Sequence, residues 1–83
     1  MVNIFLTPQA QEDIKKIPKT EKNKIKKKLL LLEKEPFSGK KLMGKLKDLY
    51  SLKAWPYRII YYLDEKNNCW IVHILHRQGA YKF

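Results

Sequence analysis

The side chains of this sequence that could do chemistry crowd into its last third. Lys53, Arg58, His73, His76, Arg77 and Tyr81 include every arginine and every histidine of the chain. Such a set can cleave a ribose phosphodiester without a metal. The 2′-hydroxyl must lose a proton, the phosphorane carries extra negative charge, and the 5′-oxygen must gain a proton. Lysine and arginine stabilise the phosphorane. Histidine can move protons, and so can a lysine held among other cations. His73 alternates with Val72 and Ile74, the pattern of a half-buried strand histidine, so His76, beside Arg77, is the better candidate.

Other chemistries lack their parts. Three scattered glycines cannot build a phosphate-cradling loop. Neither Ser38 nor Ser51 sits in a nucleophile elbow. One cysteine and two histidines fall short of a structural zinc set. The strands contribute no hard oxygen ligands for a phosphotransfer metal. No metal or other cofactor is therefore expected.

Eighteen Lys plus Arg against eight Asp plus Glu leave a formal charge of +10 on 83 residues. That surface steers polyanions: nucleic acid, a nucleoprotein particle or an acidic protein. Part of the excess follows from a general preference for lysine, since Arg58 and Arg77 are the only arginines. Their rarity makes them informative, because a planar, permanently charged fork suits phosphate. The lone Cys69 cannot form an internal disulfide, and no apolar run approaches the length of a membrane span. A reducing cytoplasm and no membrane association are expected.

The elements that must position these groups follow from periodicity. Met1–Leu6 alternates as a strand. Thr7-Pro8 starts a helix over Pro8–Ile17, which Pro18 ends. Thr20 is expected to cap a second helix running to Lys34, striped by Ile25, Leu29 and Leu32. Phe37–Leu46 reads as a basic loop. Strands follow at Leu49–Ala54, Tyr57–Leu63 and Cys69–Leu75, then an irregular tail from His76 to Phe83. Short connections make the last three strands an antiparallel meander. The first strand lies at an edge or runs parallel to a neighbour. The expectation is one α+β domain over residues 1–83, an N-terminal strand and αα-hairpin with one small sheet packed on the two helices.

In chain order, Lys41-Leu42-Met43-Gly44, Leu49-Tyr50-Ser51-Leu52-Lys53, Tyr57-Arg58-Ile59-Ile60-Tyr61, then His76-Arg77 and Tyr81 resemble the RelE/ParE superfamily of bacterial and archaeal toxins. The resemblance covers essentially the whole chain. It implies the toxin of a type II toxin–antitoxin system, a RelE-like mRNA interferase that enters the ribosomal A site and cuts mRNA. It implies as partners an antitoxin, expected to be acidic, and the ribosome with its mRNA and rRNA. Lys53 then matches a proton-transfer group, Arg58 a phosphate contact, Arg77 a transition-state stabiliser and Tyr81 a substrate-orienting tyrosine. His76 resembles a histidine that some branches place near the active site. Ser51 departs from the pattern, where some members carry lysine. Lys22, Lys26 and Lys27 of the second helix and Lys40, Lys41, Lys45 and Lys47 of the basic loop are the expected RNA-phosphate contacts. Two alternatives stand beside this reading: a ParE-like inhibitor of DNA gyrase, and a basic RNA-binding module without enzymatic activity.

Overall fold

The computed structural model describes residues 1–42 and 48–76. Their elements run β1 (Asn3–Leu6), α1 (Pro8–Lys15), α2 (Lys19–Lys34), β2 (Lys40–Lys41), β3 (Tyr50–Ala54), β4 (Tyr57–Leu63) and β5 (Asn68–His76). The strands form one sheet in the order β1-β5-β4-β3-β2. The expected α+β architecture is present. Its meander has the two further strands β1 and β2 on its flanks, and β1 runs parallel to β5 from Asn3↔Asn68 to Leu6↔Ile71. Lys40–Lys41, expected as loop, instead pairs antiparallel with Ser51 and Tyr50.

Both helices begin on local chemistry. The Thr7 hydroxyl accepts the Ala10 N–H at 3.2 Å and donates to the Val72 carbonyl at 3.0 Å, so one side chain caps α1 and ties it to β5. α1 closes at Lys15 rather than Ile17, because the residue before a proline disfavours helical backbone. The Lys16 and Ile17 N–H groups close short turns onto Asp13 and Ile14. Thr20 does not cap α2. Pro18 takes that place, its carbonyl accepting from Glu21 at 2.8 Å and Lys22 at 3.2 Å, and no side chain caps this end.

Ala10 and Ile17 from the first helical segment and Ile25 and Leu32 from α2 meet Leu52, Ala54, Ile59, Tyr61, Cys69, Ile71 and Ile74 from the sheet. Each large aliphatic side chain buried there contributes about 1.5–3 kcal/mol. Residues alternate between the two faces of a strand, so one face meets the helices and the other carries Lys53, Arg58, Ile60 and Tyr62.

Alternation breaks once, at a bulge in β5. Ile60 pairs with His73 but Tyr61 pairs with Ile71, leaving Val72 as the extra residue. The bulge lets Cys69, Ile71 and Ile74 all face the core and turns His73 out of it. Beyond Leu6, β1 no longer covers the edge of β5, and α1 takes over. The Asp13 carboxylate, 11% exposed, accepts the Ile74 N–H at 3.0 Å and lies 3.5 Å from His73 Nδ1.

A latch holds β2. The Tyr61 hydroxyl accepts the Gly39 N–H at 3.0 Å and donates to the Pro36 carbonyl at 2.8 Å. Burial, first among its causes, pushes this phenol up to about 12. Gly39 is required by space: a Cβ there would lie 2.5 Å from Tyr61 Oη and 3.1 Å from the Ser51 carbonyl oxygen.

Two outcomes follow. Tyr61→Phe leaves both latch partners without the phenol, and chemical denaturation should show a loss of about 1–3 kcal/mol. Burial also raises the Cys69 thiol to about 11. Above the unfolded value of about 8.5, the unfolded thiol ionises while the folded one stays neutral. Stability therefore falls as pH rises from there toward 11. Melting curves of Cys69→Ala, with this ionisation removed, should decline less steeply over that window than those of the parent chain.

Candidate nucleic-acid site

Strand register brings the first site residues together. Lys53 on β3 stands directly opposite Arg58 on β4, and Arg58 stands opposite Leu75 on β5. All three lie on the face turned away from the helices, at the end of the sheet marked by the Trp55–Pro56 turn. Directly opposed side chains have Cβ atoms roughly 5 Å apart, and like charges there repel. In water that repulsion costs about 1 kcal/mol, and more wherever solvent is excluded.

Lys40 reaches the same face from the sheet edge, opposite Ser51 and one alternation from Lys53. Tyr61 and Gly39 therefore bear indirectly on the charge of this face, since their latch holds the strand that carries Lys40. Ser51 is buried, and its hydroxyl has no hydrogen-bond partner among the described residues.

His76 is placed elsewhere. It is the last residue of β5, not part of an irregular tail, and it pairs with Tyr57. Their rings meet edge to face at 5.6 Å. Tyr57 shares the helix face with Ile59, so His76 stands at the same end of the sheet as Lys53 and Arg58 but on the opposite side. There it lines a cleft with Asp13, Lys16 and Ile17. The bulge at Val72 sets this side. Arg77, Tyr81, Lys45 and Lys47 lie outside the described residues.

The remaining lysines divide between two regions. Lys22 and Lys26 rim a cleft of about 260 Å³ floored by Ile14, Ile17, Ile25 and Leu29, and Lys27 is exposed on the same helix. This helical layer lies across the sheet from Lys53 and Arg58. Lys41 lines a separate cleft with Phe37, Asp48, Tyr50 and Tyr62. Cationic surface thus lies on both sides of the molecule.

Sequence reasoning passed over Trp55. The indole occupies the turn between β3 and β4, is 52% exposed, and has Lys53 Nζ 5.6 Å from its ring centroid. An exposed cation–π contact is worth about 0.5–1 kcal/mol. Its available signal was position, two residues after the strand lysine, where a turn ordinarily calls for small or polar residues. Among the described residues, no three His, Cys, Asp or Glu side chains gather as metal ligands. No described helix is long and apolar enough to cross a membrane.

The fold and its sequence agree with known toxins. Nothing among curated protein sequences matches the chain. Among solved structures it is similar to the RelBE2 toxin–antitoxin complex of Mycobacterium tuberculosis, with 25% identity and a TM-score of 0.75 over 92% of this chain and 98% of the other. The YoeB–YefM complex of Staphylococcus aureus gives 26% and 0.74, over 92% and 97% of the two chains. The archaeal RelE–RelB complex of Pyrococcus horikoshii gives 25% and 0.76, over 95% and 98%. The family described as the ParE toxin of the type II toxin–antitoxin system parDE matches residues 4–81. That match runs from within strand one through the helical hairpin and strands β2 to β5, and with it this chain belongs to the ParE toxin family, as a type II toxin with the RelE and YoeB fold.

Proposed function

We propose that this toxin is a ribosome-dependent endoribonuclease that cuts mRNA in the A site of translating ribosomes, in the cytoplasm and without a metal. The observation that carries the reading is the direct opposition of Lys53 and Arg58 on the helix-free face, with Lys40 beside them. In this reading the 2′-oxygen attacks phosphorus, the bond to the 5′-oxygen breaks, and the product is a 2′,3′-cyclic phosphate. Lys53 handles a proton, and Arg58 holds the phosphate. Arg77 stabilises the phosphorane and Tyr81 orients the substrate, roles that rest on the family resemblance alone. His76, on the other face, is not given a part in the reaction.

The distribution of cations suits a protein lodged between two polyanions. The lysines of α2 would meet ribosomal RNA while the sheet face meets mRNA. The cleft between the helices supports the partner. Its apolar floor and its lysine rim complement a segment carrying both apolar and acidic residues, and the similar RelE and YoeB proteins were solved in complexes with RelB and YefM. We assign the cleft to an acidic antitoxin.

A second reading has one observation in its favour: the matching family is named for ParE. In that reading the protein inhibits DNA gyrase and leaves mRNA intact. Primer extension on translated mRNA separates the two. Cuts phased to codons, lost in Arg58→Ala and Arg77→Ala with unchanged melting temperature, support the nuclease. Removal of one transition-state donor typically lowers the rate by about 10²–10³. Intact mRNA with trapped gyrase, or full toxicity of Arg77→Ala, overturns it. A basic module that only binds would arrest growth with neither effect.

Salt supplies an independent check on the two-sided binding. Each lysine–phosphate contact releases a counterion, so ribosome affinity should fall steeply with salt. Replacing Lys22, Lys26 and Lys27 together with Gln should flatten that slope while codon phasing persists. An unchanged slope removes α2 from the interface.

A further inference from the structure

We propose that the cleft at the end of the sheet away from Lys53 and Arg58 is a docking site for an arginine side chain on a basic segment of a partner protein, its guanidinium lying against Phe37 and Tyr62 and held by Asp48 and Glu65. This partner differs in chemistry from the acidic antitoxin assigned to the helical cleft, and the proposal does not rest on the nuclease reading.

The cleft holds about 400 Å³ and opens where β2 and β4 end and β3 begins. Phe37, Tyr50 and Tyr62 supply its aromatic surface. Tyr50 is tied inward by stacking on Tyr61 at 5.3 Å. Phe37 is 71% exposed, and its ring meets Tyr50 edge to face at 6.1 Å. The backbone around Phe37 is held on both sides, because the Tyr61 hydroxyl binds the Pro36 carbonyl before it and the Gly39 N–H after it. The latch thus presents an aromatic ring in the open on a pinned segment. Tyr62 stacks on Trp70 at 6.4 Å and keeps 36% of its surface exposed.

Charge selects the occupant. Three of the eight acidic residues, Asp48, Asp64 and Glu65, line this cleft, against Lys41 as the one cation among its described lining residues. The Asp64 carboxylate is engaged within its own loop by the Trp70 indole N–H at 3.0 Å, the Asn68 side-chain amide and two backbone N–H groups. These donors, the indole first, hold it down at about 2, so it stays charged at neutral pH. Asp48 and Glu65 are exposed, and the ion pairs among the described residues lie on other groups. On a chain of net charge +10 this end is locally negative. RNA would bring its phosphates against three carboxylates. A wholly apolar segment would take those carboxylates out of water without a partner. An arginine answers both parts of the cleft. Its planar, weakly hydrated guanidinium stacks on aromatic faces and donates in a fork to carboxylates. The compact, strongly hydrated ammonium of lysine suits the rings less well.

The test titrates isotope-labelled protein with a short, end-capped glycine–serine peptide bearing one arginine, and follows the ring resonances of Phe37 and Tyr62 by NMR. The same peptide with citrulline, which keeps the shape and loses the charge, and with lysine are run beside it, as is an oligouridylate. Saturable shifts of both rings with arginine, weaker ones with lysine and none with citrulline are expected. Equal response to arginine and citrulline, equal affinity for arginine and lysine, or no response to any peptide overturns the proposal. Larger shifts of the same rings with the oligouridylate also overturn it and give the cleft to RNA. Asp48→Asn combined with Glu65→Gln should weaken the arginine peptide about ten-fold, and Phe37→Ala about five-fold. Unchanged affinity in the double variant, with its melting temperature retained, refutes the carboxylate contacts. Primer extension judges the nuclease reading separately, so either can fail without the other.

Discussion

The parallel pairing of β1 with β5 is the constraint on which the rest of this structure depends. It joins residues 65 positions apart, from Asn3↔Asn68 to Leu6↔Ile71. Once β1 is fixed there, α1 must start beside the bulge of β5, where Thr7 holds the Val72 carbonyl. Asp13 then continues along the same edge and satisfies Ile74. A parallel strand needs a crossover connection. Here the α1–α2 hairpin belongs to that excursion, which is why both helices settle on one face. The opposite face remains available for Lys40, Lys53 and Arg58.

The candidate site is therefore a product of register more than of sequence proximity. Lys53 and Arg58 are neighbours across a hairpin, and their opposition follows from the turn at Trp55–Pro56. Lys40 joins them only because a two-residue strand pairs with Ser51, held by the hydroxyl of Tyr61 and the missing side chain of Gly39. A residue in the core thus helps to set the charge of the exposed face.

Much of this was legible in the sequence, and the parts that were not have particular causes. The β-favouring run Tyr57–Leu63, rich in tyrosine and isoleucine and free of breakers, and the apolar stripe of α2 gave their elements. The resemblance in motif order pointed to the toxin family that the match over residues 4–81 shows. β2 was hidden because two lysines at an edge carry no apolar pattern. Thr20 drew the cap of α2 away from Pro18, whose carbonyl alone closes the first turn. The side taken by His76 could not be read at all. Strict alternation from Cys69 would put His76 on the face of Arg58, and the extra residue at Val72 reverses it. A bulge leaves no mark in composition, only in pairing.

The position of β5 also orders events during synthesis. It is the last strand described in the chain and the second in the sheet, flanked by β1 and β4. Until residues 68–76 have been made, β1 has no partner and α1 has no floor. Helices and the β3–β4 hairpin can form early, since their contacts are local, but closure of the sheet waits on a contact of long sequence separation. A nascent or truncated chain therefore carries Lys53 and Arg58 without the rigid sheet that aligns them. The face that carries Lys53 and Arg58 takes its settled form only when the last described strand locks in.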